Sequence, residues 1–283
     1  MPGVSPTVRQ RELGARLRQL RNKRSMTVDQ VAQELLCSPT KISRIETGAR
    51  RATLRDVRDL SRLYNVTEPA DAAELMDLAR QARERGWWAQ YSDLKLDPYI
   101  GLEEEATGIT CFSMYFLHGL VQTEEYARAI IKGIAPRIDP DVFEQRTKAR
   151  LRRQELLKRE KPPRFRMLLD ESVLYRQVGG PGVMFRQLDK IMQLTNEHKI
   201  VVQLIPFEIG AYDAADSNFV LLEFDREPLS DLVFVEGLLS ALYHERPTEV
   251  ERYRESLENL RDVALSPKES ANRMTEMRSK YAG

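Results

Sequence analysis

The chain has 283 residues, 42% of them hydrophobic and 31% charged, and a formal net charge of +1; this length is expected to form about two domains. Its cysteines, Cys37 and Cys111, are too few for a disulfide framework and match no metal-ligand spacing. There is no signal-peptide core and no run of about 18 apolar residues, so we expect a cytoplasmic protein and exclude the secreted and membrane-spanning classes.

Charge is distributed unevenly along the chain. Residues 1–66 contain 14 Lys and Arg against 6 Asp and Glu, whereas residues 67–283 contain 30 against 37. A first helix is predicted to begin near Arg9, and its polar face is strongly cationic, with Arg11, Arg16, Arg18, Arg21, Lys23 and Arg24. Such a run can be an ordinary solvated face, but with one nearby acid we expect it to contact phosphates. A basic region before an acidic one is typical of a DNA-binding domain joined to a second domain.

Residues 27–51 have the pattern of two short helices joined by a tight turn. Thr27 can cap the first helix, whose apolar residues recur at helical spacing. Ser38 and Pro39 begin the second helix, and Gly48 can end it in a left-handed conformation. With Ile42 and Ile45 facing the core, the exposed face of the second helix would carry Pro39, Thr40, Lys41, Ser43 and Arg44. This arrangement predicts a helix-turn-helix whose second helix enters the DNA major groove.

The segment SPTKISRIETG, residues 38–48, resembles the phage-repressor type of helix-turn-helix called the Xre family. The resemblance implies that Thr40, Lys41 and Arg44 read bases. It also implies that phosphates are held by Thr27, Gln30, Ser38, Ser43, Arg50 and Arg51. The same two-helix unit also occurs in proteins that have lost DNA binding.

Two more helices are predicted to complete the N-terminal region. Thr53 caps a fourth helix that Asn65 can end, and Pro69 begins a fifth. Gly86, followed by Trp87 and Trp88, marks the predicted boundary. We therefore expect an all-α, phage-repressor-like domain over residues 1–85 and a second domain over residues 86–283.

The second region changes from helical to strand periodicity after two prolines at 162 and 163. Before them, a helical stripe runs through Tyr99, Leu102, Ala106 and Ile109, and Thr123 caps a further helix. After them come four apolar runs with strand character, which begin near Phe165, Ile200, Asn218 and Asp231. One helix is predicted between the first and second runs, and two helices end the chain. This order predicts a larger α+β domain with a small mixed sheet of about four strands, parallel across the helix and antiparallel afterwards.

Nearly all of residues 85–283 resemble the DUF5753 domain of WhiJ-like actinobacterial regulators. The segments that carry the resemblance include GLVQTEEYARA, PPRFRMLLDESVLYRQVGG, VVQLIPFEIGAY and ALSPKES. One departure is His118, where the family usually has proline before this Gly-Leu segment. The resemblance implies a transcription regulator that works with a small protein encoded by a neighbouring gene, in a pairing likened to toxin and antitoxin.

We expect no catalysis, no cofactor and no metal site. Glu103, Glu104 and Glu105 point in three directions on a helix, which favours a solvated helix start over a metal or acid–base site. The Gly-Gly-Pro-Gly segment at 179–182 lacks the phosphate-binding glycine patterns, so an ordinary turn is favoured. The three histidines lie far apart and form no ligand motif.

The leading hypothesis is a nucleoid-associated, homodimeric transcription regulator that binds a double-stranded operator. The alternatives are an antitoxin-like protein whose main role is to hold its partner, and a regulator that senses a small molecule. The partner would contact strand edges or the GLVQTEEYARA segment through Gln122 and Tyr126. Equally, these two residues fit a helix cap and a core tyrosine.

Overall fold

The computed structural model describes residues 5–91, 97–225, 227, 229–238 and 240–282. The chain divides into two compact units. The described residues of the first unit fall within 1–90, 96–105 and 225–230, and the others belong to the second. The boundary of functional domains after Arg85 stays a prediction, because contacts also place residues 86–90 and 97–105 in the first unit.

The first unit is helical, as predicted. Its helices are α1 Pro6–Lys23, α2 Val28–Glu34, α3 Pro39–Glu46, α4 Leu54–Leu63, α5 Pro69–Gln81 and α6 Asp97–Glu103, with a 3-10 turn at Trp87–Gln90. Gly48 and Asn65 have φ angles of 66° and 59°, so both occupy the left-handed conformation expected of helix stops. The local stop signals in the sequence therefore predicted the helix ends correctly.

The core of this unit lies between α1, α3, α4 and α5. Leu13, Leu17, Val57 and Leu60 are buried in it with apolar residues from α2 and α3. A Cβ atom at Gly14 would lie 2.5 Å from the carbonyl oxygen of Ile45, so glycine is required where α1 crosses α3. This close approach places α3 firmly on α1.

The helical stripe predicted through Tyr99 and Ile109 is divided in the structure. Helix α6 ends at Glu103, and a strand begins at Gly108. Helix α6 contacts α1, where a Cβ at Gly101 would lie 2.5 Å from the Thr7 hydroxyl. Glu103 is 1% exposed, so the expectation of a solvated glutamate run is wrong at that position.

The second unit contains a six-stranded mixed sheet, which confirms the α+β class. Its strands are β1 Gly108–Ser113, β2 Arg164–Asp170, β3 Ile200–Ile205, β4 Phe219–Glu223, β5 Leu232–Glu236 and β6 Ala241–His244. They lie in the order β3-β2-β1-β4-β5-β6; β1, β2 and β3 are parallel, and β4, β5 and β6 are antiparallel to their neighbours.

The prediction of about four strands missed β1 and β6. Strand β1 is almost wholly buried, so its residues do not alternate between apolar and polar. Strand β6 is four residues long and is half-exposed at the sheet edge. Both are therefore weak signals in the sequence, although β1 lies at the centre of the sheet.

Helices cover both faces of this sheet. They are α7 Glu124–Ile134, α8 Pro140–Arg153, α9 Ser172–Tyr175, α10 Pro181–Asn196, α11 Pro247–Val263 and α12 Pro267–Lys280. Leu257 and Leu260 of α11 pack on one face against Phe112, Leu168 and Val233. Helices α10 and α12 contact each other and β3. Among the described helices, none is both long and apolar enough to cross a membrane.

Candidate nucleic-acid interface

Helices α2 and α3 begin at well-formed side-chain caps. The Thr27 hydroxyl accepts a hydrogen bond from the Gln30 backbone N–H at 3.2 Å, and the Gln30 side-chain oxygen accepts one from the Thr27 N–H at 2.8 Å. The Ser38 hydroxyl accepts from the Lys41 backbone N–H at 3.2 Å. These three predicted phosphate-binding side chains therefore also have a structural role as caps.

The exposed face of α3 carries most of the predicted base-reading residues. Ile42 and Ile45 are 1% and 2% exposed, as the pattern predicted. On the opposite side, four residues are exposed to solvent: Pro39, Thr40, Ser43 and Arg44. This face presents a guanidinium, two hydroxyls and a small ring, which are suitable groups for base edges and phosphates.

Lys41 differs from its neighbours on α3. Its side chain is only 27% exposed, and its ammonium lies 2.5 Å from the Asp56 carboxylate on α4. Burial alone would raise the pKa of Asp56, but hydrogen bonds from Lys41 and Thr53 outweigh it and lower that pKa. Lys41 therefore joins α3 to α4, and base reading by its ammonium would require this ion pair to open.

Arg50 and Arg51 lie beyond the C-terminus of α3, and both are exposed. The Arg51 guanidinium donates from Nε to the Gln10 side-chain oxygen at 3.3 Å. Gln10 in turn donates to the Gly48 carbonyl oxygen. Gln10 was not among the predicted site residues, because its position on α1 gives no local sign that it supports the loop after α3.

The cationic face predicted on α1 is smaller than the sequence suggested. Arg21 donates to Glu46 from Nε at 2.7 Å and from Nη2 at 2.9 Å, and its Nη1 donates to the Met26 carbonyl oxygen. The hydrogen bond to Glu46 raises the pKa of Arg21 despite its burial. Arg16 pairs with Glu74 at 2.8 Å. The expectation that Arg21 contacts phosphate is therefore wrong, since its guanidinium holds α1 against α3.

Gln122 and Tyr126 lie inside the second unit, with exposures of 2% and 0%. Gln122 donates from Nε2 to the Leu117 carbonyl oxygen at 2.7 Å and accepts from Arg150 Nη1 at 3.0 Å. Tyr126 follows the Thr123 cap and is buried, which raises its pKa to about 12. Neither side chain reaches the surface in this structure, so partner contact through them stays a prediction that would require a local rearrangement. Of their alternative interpretation, a helix cap and a core tyrosine, the core tyrosine matches the structure, whereas the cap of α7 is the Thr123 hydroxyl and not Gln122.

The remaining candidate sites have local structural explanations. Gly179 and Gly180 have φ angles of 74° and 91° in the turn before α10. His118 accepts the Leu120 N–H at 3.4 Å and packs on the Phe165 ring. It thus caps a 3-10 turn where the resembled family has proline. Among the described residues, no group of three or more His, Cys, Asp or Glu side chains could hold a metal ion.

Two helices of this geometry, with an exposed polar face on the second, define the class of helix-turn-helix DNA-binding proteins. A protein-family model described as a helix-turn-helix domain matches residues 12–75, and it supports a DNA-binding regulator. A second model, described as a domain of unknown function (DUF5753), matches residues 96–276, more than half of the chain. The chain therefore belongs to the DUF5753 family, with a helix-turn-helix domain before the matched region. No curated protein and no solved structure matches it.

Proposed function

We propose that this chain is a sequence-specific transcription regulator in which Arg44 of α3 reads a base in the major groove. The observation that carries the proposal is that the Arg44 side chain is exposed on α3 and forms no ion pair with a described carboxylate. An exposed guanidinium can donate two parallel hydrogen bonds to the acceptors of guanine.

Phosphate contacts in this proposal come from the ends of the same motif. Arg50 and Arg51 follow α3, and Gln10 supports Arg51 from α1. Thr27 and Ser38 begin α2 and α3, where hydroxyls and backbone N–H groups can approach the DNA backbone. These contacts would position α3 without reading sequence.

The proposed functional form is a homodimer. Helix α3 has eight residues and spans about 12 Å, so one copy covers only a few base pairs. Two copies on a symmetric operator would double the contacts, with half-sites about 34 Å apart or a multiple of that spacing. We propose that the second unit supplies the dimer contact, because it is the larger of the two.

The test begins with selection of bound sequences from random duplexes by the full chain. Arg44→Ala should weaken binding to the selected site by roughly 1–3 kcal/mol, measured by fluorescence anisotropy at fixed salt. Arg80→Ala is the matched control, since Arg80 lies on α5 and pairs with Asp77. Equal affinity of the Arg44 variant and the control would remove Arg44 from base reading.

Arg51→Ala tests the phosphate contacts separately. It should weaken specific and non-specific duplexes to the same extent and reduce the salt dependence by about one ion, because it neutralises one phosphate. The measurement is a salt titration of the affinity for both duplexes. A loss confined to the selected sequence would contradict the phosphate role.

The proposal also includes a small partner protein encoded by a neighbouring gene, as the DUF5753 resemblance implies. Strand β6 supports one place for it: β6 ends the described sheet, and its residue Leu242 is 55% exposed. A partner strand could add to this edge. Copurification of the neighbouring gene's product with the wild type, and its loss in Leu242→Lys, would support the contact. Retention in that variant would exclude this edge.

The proposal assigns DNA binding, and not catalysis, to the chain in the cytoplasm. The sequence has no nucleophile elbow and no spaced histidine and carboxylate motif. An antitoxin-like role would be favoured over regulation if the partner complex bound DNA only at the chain's own promoter. Mapping bound sites with and without the partner distinguishes these roles.

A further inference from the structure

One face of the second unit's sheet carries a charged side chain among mainly apolar neighbours on the adjacent strands. Arg166 of β2 is in register with Thr110 of β1 and Val201 of β3, and Thr110 is in register with Leu221 of β4. Residues in register project to the same face, so Arg166 lies among these side chains. Helix α11 lies over this face and contributes Arg261.

These residues line a cavity of about 770 Å³. Cavities of this size, on the order of 300–1,000 Å³, accommodate small organic ligands. The cavity belongs wholly to the second unit and is separate from the helix-turn-helix. Its location therefore gives it no direct part in the DNA interface proposed above.

Arg166 and Arg261 are both half-buried, and neither forms an ion pair with a described residue. The Nε atoms of Arg166 and Arg261 are both buried without a hydrogen-bond partner. Within the described residues, no carboxylate oxygen lies within 4.0 Å of either guanidinium. Burial, and then the charge of Arg166, lower the pKa of Arg261 against the opposing influence of Glu258 and Glu223. The two positive charges are thus close enough to repel each other.

The other cations around the cavity are already paired. Arg254 lies 3.2 Å from Glu223, Lys199 lies 2.6 Å from Glu197, and Arg164 lies 3.8 Å from Glu223. These pairs use the nearby carboxylates that could otherwise neutralise Arg166 and Arg261. Within the described residues, Arg166 and Arg261 are therefore left without a carboxylate in direct contact.

Two further glutamates, Glu251 and Glu258, line the cavity but are exposed. Water screens their charges, whereas the arginine Nε atoms are shielded from water. An anion that entered between the arginines would supply the missing acceptors and remove an unfavourable repulsion. Arginine suits phosphate and carboxylate because its planar group donates paired hydrogen bonds.

We propose that this cavity binds a small organic anion, whose phosphate or carboxylate group lies between the guanidinium groups of Arg166 and Arg261. The remaining volume would hold the organic part of the ligand against Thr110, Val201 and Leu257. This inference is independent of DNA binding, since the cavity contains no residue of the helix-turn-helix.

The test uses the full chain and calorimetric titration with four probes at constant ionic strength: inorganic phosphate, glucose 6-phosphate, succinate and sodium chloride. We expect saturable binding of at least one oxyanion and none of chloride. Preference for the phosphates or for succinate identifies the source of the anionic group. Absence of saturable binding for all three oxyanions at millimolar concentration would overturn the proposal.

Two variants of α11 localise the binding. Arg261→Gln should weaken the bound oxyanion roughly tenfold or more, because it removes charged hydrogen-bond donors. Arg252→Gln is the matched control, since Arg252 lies on the same helix with a 61% exposed side chain and pairs with Asp213. Equal binding by the two variants would overturn the assignment.

A melting curve without ligand separates binding from a structural role. Arg261→Gln should not lower the melting temperature of the ligand-free chain more than Arg252→Gln does, because it breaks no ion pair. A larger decrease would show that Arg261 supports the fold and would overturn the proposal. Competition of a short DNA duplex with the bound oxyanion would also overturn it, by making these arginines part of a nucleic-acid surface.

Discussion

The two units of this protein place arginines in opposite electrostatic settings. In the first unit, Arg21 and Glu46 have side chains 11% and 5% exposed and form a bidentate ion pair. In the second, Arg166 and Arg261 both contain a buried Nε with no acceptor. Removing one member of a buried pair is strongly unfavourable, whereas an unpaired cation is stabilised when an anion arrives. Arg21 thus stabilises the fold, whereas Arg166 and Arg261 each have a hydrogen-bond donor that a bound anion could accept from.

The largest expected effect on stability comes from removing the carboxylate partner of Arg21, which would leave an unpaired arginine in the first unit as in the second. Glu46→Gln would leave Arg21 buried without a carboxylate and should reduce the free energy of unfolding of the first unit by roughly 3 kcal/mol. Urea titration monitored by tryptophan fluorescence suits this test, because both tryptophans, Trp87 and Trp88, lie in that unit.

Two control variants define this comparison. The double variant Arg21→Met with Glu46→Leu should recover much of the lost stability, since it removes the unpaired charge. Asp77→Asn breaks an ion pair whose two side chains are 60% and 59% exposed, and it should change stability by less than about 0.5 kcal/mol. A double variant no more stable than Glu46→Gln would contradict the explanation by unpaired charge.

The neutral, buried side chain of Gln122 is expected to have an effect on stability between those of the buried and the partly exposed ion pairs. Gln122→Leu removes one acceptor of Arg150 and the donor to the Leu117 carbonyl oxygen. It should destabilise the second unit by about 2 kcal/mol and lower its melting temperature. Glu124→Gln is the control, because Glu124 lies two residues away with a 52% exposed side chain. Lost partner binding at an unchanged melting temperature would instead return Gln122 to the partner interface.

The smallest effect is expected from the partly exposed Lys41–Asp56 pair. Burial would raise the pKa of Asp56, but hydrogen bonds from Lys41 and Thr53 lower it below the model-peptide value of 3.8. The stabilisation is therefore present above pH 3.8 and is lost as the pH falls through the lowered pKa. Asp56→Asn should cost about 1 kcal/mol at pH 7.

Urea titrations of Asp56→Asn and the wild type at pH 7, 5 and 3 measure this dependence. The difference between them should persist at pH 5 and shrink at pH 3, because below pH 3.8 the Asp56 carboxylate of the unfolded wild-type chain becomes protonated, which stabilises the unfolded state. Asp59→Asn, which affects more exposed ion pairs on the same helix, serves as a control. A constant difference across the three pH values would show that charge is not the cause.

Local patterns predicted much of the first unit. The caps at Thr27, Ser38 and Thr53 each join atoms only three residues apart, so the sequence contains both partners. The inward positions of Ile42 and Ile45 follow from helical periodicity in the same way. In the second unit, periodicity indicated four strands but not β1 or β6, since one is buried throughout and the other is short.

By itself, the sequence determined the helix-turn-helix, its exposed polar face and the α+β class of the second unit, because each depends on residues that are neighbours along the chain. Only the tertiary structure decided which charged side chains have an ion-pair or hydrogen-bond partner. Arg21 finds Glu46 across 25 residues, and Arg51 finds Gln10 across 41. It also placed Arg166 and Arg261 in one cavity without a carboxylate partner. Side-chain ion pairs form over a few ångströms in space, and the packing of helices and strands sets those distances.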